Sequence, residues 1–142
     1  MTPKSQRRGG PSPSASPWLA EAGRKVADVA RLEENWDTYG ARKPTAIALA
    51  NAQGILQATD RTFPGRASEQ LAPYFIGPLP DGGITVEWRA GVTELGVDIG
   101  PDGVLSYLSI EQTPTGIAHE EHDGVTWGQI APILSRLLAL HC

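Results

Sequence analysis

The chain has 142 residues, 40% of them hydrophobic, enough for one domain with a modest core. Twelve Lys and Arg stand against sixteen Asp and Glu, a formal net charge of −4, and the one cysteine, Cys142, excludes an intramolecular disulfide and the four-sulfur zinc frameworks. The start lacks the apolar stretch of a secretory signal, and the apolar segment Ile130 to Leu140 is broken by Pro132, Ser135 and Arg136, so a cytoplasmic chain with no membrane span is expected.

Residues 1–15 are nearly all Ser, Pro, Gly, Lys, Arg and Gln, which predicts a disordered tail ahead of one domain over 16–142. Ser16-Pro17 reads as a helix start, with the serine oxygen accepting from a free amide. Trp18, Ala22, Val26, Val29 and Ala30 recur at helical spacing and predict a first helix ending near Asn35. Asn35 to Ala41 mixes turn formers with two large aromatics and predicts a structured loop. Pro44-Thr45 opens a second, alanine-rich helix that Pro64-Gly65 must stop.

After Pro73 the period changes to alternation. Ile84, Val86 and Trp88 share one face against Thr85, Glu87 and Arg89, and Leu95, Val97 and Ile99 alternate with Glu94, Gly96 and Asp98. Pro101-Asp102-Gly103 turns the chain into a third strand carrying Val104, Leu105, Tyr107, Leu108 and Ile110. A shorter fourth strand is placed over Gly116 to His122. Thr126 with Gln129 resembles a capping box, and Pro132 either kinks the final helix or begins its regular part. The expected fold is α+β: two N-terminal helices, an antiparallel meander of three to four strands and a C-terminal helix.

Two motifs, Glu34-Asn35-Trp36-Asp37-Thr38-Tyr39-Gly40-Ala41 and Pro80-Asp81-Gly82-Gly83-Ile84-Thr85-Val86-Glu87-Trp88, resemble a group of short bacterial proteins described only as uncharacterised. The likeness spans roughly residues 27–110. In that group the loop reads Asn-Trp-Asp-Gly/Ser-Tyr-Gly-Ala, so Thr38 departs at one turn position. The resemblance implies a bacterial or phage origin and brings no activity with it.

Asn35, Trp36, Asp37 and Tyr39 form the densest group with recognition value, because loop aromatics contribute contact area at low entropic cost. The structural alternative has Trp36 closing the helix pair over the sheet while Asn35 or Asp37 caps backbone groups. His119-Glu120-Glu121-His122-Asp123 carries zinc-ligand types, but its histidines are three apart and would point to opposite faces of a strand, so no metal is assigned. No nucleophile elbow or phosphate loop is present, so no catalytic residue or cofactor is assigned. From Asp81 to Asp123 nine acids face Arg89 alone, a balance that suits a protein partner with a basic surface and disfavours nucleic acid. The expected function is a non-enzymatic protein-binding or accessory module, antitoxin-like or immunity-like. The rival is a hydrolase or nuclease assembled from separated residues such as Asp37, Glu87, Asp98 and His119.

Overall fold

The computed structural model describes residues 16–63 and 71–139. The expected tail, the Pro64-Gly65 stop and the terminal His141-Cys142 pair lie outside them. Among the described residues, three helices, α1 (Pro17–Ala30), α2 (Ala46–Thr62) and α3 (Trp127–Ala139), bracket five strands: β1 (Phe75–Pro78), β2 (Ile84–Ala90), β3 (Thr93–Ile99), β4 (Leu105–Thr113) and β5 (Gly116–Val125). The strands form one antiparallel meander in the order β1-β2-β3-β4-β5.

Helix α1 buries Trp18, Ala22, Val26 and Val29 along the apolar stripe expected of it. It stops at Ala30, short of Asn35, which takes a left-handed φ of 63° that cannot continue a right-handed helix. Ser16 does not cap it. The Ser16 hydroxyl donates instead to Asp60 Oδ1 at 2.8 Å, the charge-assisted partner, and ties the start of α1 to the end of α2. In α2, Thr45 Oγ1 accepts from Ala48 N at 3.1 Å as an N-cap and donates to the carbonyl of Pro101 at 2.7 Å. Half of the expected capping box opens α3, with the Gln129 side chain accepting from Thr126 N at 2.9 Å. The helix runs through Pro132, whose missing N–H leaves the carbonyl of exposed Gly128 to solvent.

The sheet has five strands where three or four were expected. The extra one, β1, is four residues long and ends in proline, too short for an alternation signal to build up. Its Ile76 pairs with Val86 and completes the buried row. The expected fourth strand exists and extends to Val125, with a register shift between Leu105 and Ser106 on β4.

Cross-strand register divides the side chains into two faces. Ile84-Ile99-Leu105, Val86-Val97-Tyr107 and Trp88-Leu95-Ser109 are rows of one face. All three helices pack there, building a core from Trp18, Leu56, Trp88, Leu95, Ile130, Leu134 and their neighbours. Glycine is required at the β1–β2 turn: Gly82 has φ 97°, and a Cβ on Gly83 would collide with the Ile99 carbonyl oxygen.

Candidate binding surfaces

The Asn35–Ala41 segment is a closed loop held by its own polar side chains. Asp37 Oδ1 accepts from the amides of Tyr39 at 2.8 Å and Ala41 at 3.0 Å, and Asn35 Oδ1 accepts from Gly40 N at 2.6 Å. The Asn35 amide donates to the carbonyl of Ala41 at 2.7 Å and closes the ring. The half-buried Trp36 donates its indole N–H to the carbonyl of Arg42 at 3.0 Å. The loop is anchored to the β1–β2 turn through Arg42 N to Pro80 O at 2.8 Å and Thr45 N to Gly82 O at 3.0 Å. Of the four residues singled out from sequence, Asn35, Trp36 and Asp37 therefore meet in one backbone-satisfying network. Tyr39 stands apart, 90% exposed.

A second surface lies on the far side of the sheet. Among the described residues, no element packs on the face opposite the helices. Its rows are Thr85-Asp98-Ser106-Asp123, Glu87-Gly96-Leu108-Glu121 and Arg89-Glu94-Ile110-His119. Five carboxylates, from Glu87, Glu94, Asp98, Glu121 and Asp123, thus share it with a single guanidinium. That guanidinium is already engaged: Arg89 lies 4.1 Å above the Tyr74 ring, bonds the Tyr74 hydroxyl at 2.9 Å and pairs with Glu94 at 3.5 Å. Between the acids, Glu87, Glu94, Leu108 and Ile110 surround a dimple of about 70 Å³ over Gly96, and the half-exposed Phe75 ring covers Gly77. The Tyr74 hydroxyl is pushed above its ordinary value of 10.0, first by desolvation and then by the Glu87 carboxylate.

The end of this face near the turns forms a cleft lined by Asp81, Asp98, Asp102 and Asp123. Two of these carboxylates serve the turns: Asp81 Oδ1 accepts from Gly83 N at 2.9 Å and Asp102 Oδ1 from Val104 N at 3.1 Å. Among the described residues, no three His, Cys, Asp or Glu side chains converge as metal ligands. His119 lies across from Ile110 on the uncovered face and His122 across from Tyr107 on the other, as their spacing implies. Of the residues of the rival reading, Glu87 and Asp98 are diagonal neighbours on β2 and β3, and the others lie apart. Glu87 on β2 and His119 on β5 are three strand spacings apart, roughly 14 Å, and Asp37 is committed to its loop.

On the helical side, a groove between α1 and the segment before β1 is lined by Trp18, Ala22, Pro73 and Ile76. Trp18 is 5% exposed, and its indole N–H has no acceptor among the described residues. Sequence reasoning missed the apolar part of the uncovered face. Leu108 and Ile110 were grouped with Tyr107 as one apolar strand, although odd-even parity alone separates Tyr107 on the core side from both of them. No family model matches the chain, and no curated protein and no solved structure matches it either.

Proposed function

We propose that this chain is a protein-binding module, of the accessory, antitoxin-like or immunity-like kind, whose working surface is the uncovered face of the sheet and whose partner presents a basic surface. The observation that carries the reading is the composition of that face: five carboxylates around a floor of Leu108, Ile110 and Phe75, with Arg89 engaged by Tyr74 and Glu94. Acidic groups around an apolar floor steer a cationic partner inward and give it apolar surface to bury. Tyr39, at the loop tip, is a further anchor available to such a partner.

The test compares two sets of charge reversals. Glu87→Lys with Glu121→Lys alters the uncovered face, and Glu21→Lys with Asp28→Lys alters the exposed side of α1. Wild-type protein, used as bait in extracts of the native host, should retain a basic protein that the first variant loses and the second keeps. Equal loss from both variants, or a retained partner that is itself acidic, would refute the assignment.

A further inference from the structure

Strand β5 is the terminal strand of the sheet, and among the described residues nothing pairs with its outer side. It is ten residues long and exposed from Gly116 through Gly124, on both faces as well as along its edge. Ala118, Glu120 and His122 point to the helical side, yet they remain exposed beside Ser109 and Tyr107, which are buried at 3% and 7% exposure. The helices cover β4 and stop there. The opposite edge differs: β1 has four residues, ends in Pro78, which cannot donate to a ladder, and lies against α1.

An unpaired strand of this length is a template for another strand, and natural edges are guarded by charged side chains, proline or bulges. β5 has no proline; its guards are acids, with Glu120 turned to the helical side, and the register shift at its Val125 end. Its acids are Glu120, Glu121 and Asp123, beside His119 and His122, whose Nε2 lies 3.3 Å from Glu120, and it carries no Lys or Arg. These acids discriminate between occupants. A second copy pairing antiparallel about a two-fold axis, with matching faces, overlaps most when centred on Glu120 or on Glu121; either register sets one carboxylate against its own copy and gives the other acids only histidine or apolar residues to face. A strand bearing cations meets no such clash.

We propose that β5 accepts an extended, basic segment of the partner as a sixth strand, and that the segment carries two adjacent cations at its centre. The pairing supplies main-chain hydrogen bonds, and the acids supply selectivity. Two adjacent cations are required because Glu120 and Glu121 are consecutive and point to opposite faces, and consecutive residues of the added strand do the same. The inference rests on the protein-binding reading and adds to it the mode of recognition.

The experiment uses a capped peptide as long as β5, of alternating threonine and valine with a central Lys-Arg pair, titrated into the full chain. Amide hydrogen exchange should slow at alternate residues of β5 on binding, because only those N–H groups face outward. Replacing Glu120 and Glu121 together by Lys should weaken binding on the order of tenfold, and a peptide with a central Glu-Glu pair should bind that variant in place of the original. The restored pairing also shows that the variant is folded. Binding without alternate protection of β5 would overturn the edge inference while leaving docking on the uncovered face intact. Absence of binding, or protection of β5 that rises with protein concentration alone, would overturn it too. The reversals at Glu87 and Glu121 with the native partner decide the protein-binding reading separately.

Discussion

The indole nitrogen of Trp88 lies 2.9 Å from the carbonyl oxygen of Leu71, and this bond joins the centre of β2 to the segment ahead of β1 inside the core. Trp18, the other deeply buried tryptophan, has no such acceptor among the described residues. The two side chains fill similar volumes, and only one of them holds a second group in place. Trp88→Phe removes ring volume and also strands a buried carbonyl, an added penalty of about 1–3 kcal/mol. Trp18→Phe removes ring volume together with a donor that has no acceptor among the described residues. Urea denaturation midpoints should therefore fall clearly further for Trp88→Phe, and an equal or larger fall for Trp18→Phe would contradict the assignment of the bond.

Gly54 sits in the middle of α2, exposed, and a Cβ built there meets nothing within 4 Å. Glycine in a helix interior costs about 0.5–1 kcal/mol relative to alanine, largely through the freedom it retains when unfolded. Gly54→Ala should raise stability by about that amount. A loss of stability would show that the helix is locally distorted or that its exposed side is covered.

These energetic details follow from a fold that was largely readable in advance, for reasons visible at particular residues. Ile84-Val86-Trp88 and Leu95-Val97-Ile99 alternate without interruption because one side of each strand meets the helices and the other meets water. Where a strand is exposed on both sides, as in β5, no alternation is imposed, and its end at Val125 was placed three residues too early, at His122. Ser16 shows the same limit: a cap motif was present, but Asp60, distant in sequence, competed for the hydroxyl. The candidate loop was legible as a unit because Asn and Gly tolerate the positive φ values of 63° at Asn35 and 89° at Gly40; the 64° at Thr38, a β-branched residue, was not signalled by its residue type. Which of the loop's aromatics is displayed was not legible, since that depends on the Arg42 carbonyl and on the turn at Pro80.

The Tyr107 hydroxyl is held above its ordinary value of 10.0, chiefly by burial and then by the Glu120 carboxylate beside it, with Arg136 opposing. The fold thus prefers the protonated phenol. The stability this contributes is fully present below pH 10.0 and is lost as the pH climbs from there through the raised folded value. Tyr107→Phe should flatten that alkaline loss. Glu120→Gln should lower the phenol's titration, followed by phenolate absorbance, without returning it to the ordinary value, because burial remains. An unchanged titration in Glu120→Gln would remove the carboxylate from the account.

The loop offers the sharpest separation of structural from recognition roles, because Asp37 and Tyr39 are two residues apart and experience opposite environments. Asp37 satisfies the amides of Tyr39 and Ala41, and the Ala41 amide belongs to a residue only 2% exposed. Asp37→Ala leaves both donors without a side-chain acceptor, which should cost on the order of 1–3 kcal/mol and loosen the contact of Arg42 with Pro80. Tyr39, at 90% exposure, contributes almost nothing to the core, so Tyr39→Ala should leave the free energy of unfolding within about half a kcal/mol of wild type. If the loop is part of the binding surface, that same variant should weaken the basic partner by about 1 kcal/mol or more, as exposed aromatic anchors do. Calorimetric melting of both variants, followed by titration of each with the captured partner, reads the two effects independently. Stability lost in Tyr39→Ala and kept in Asp37→Ala would reverse the roles assigned to them. Unchanged partner affinity in Tyr39→Ala would confine recognition to the sheet.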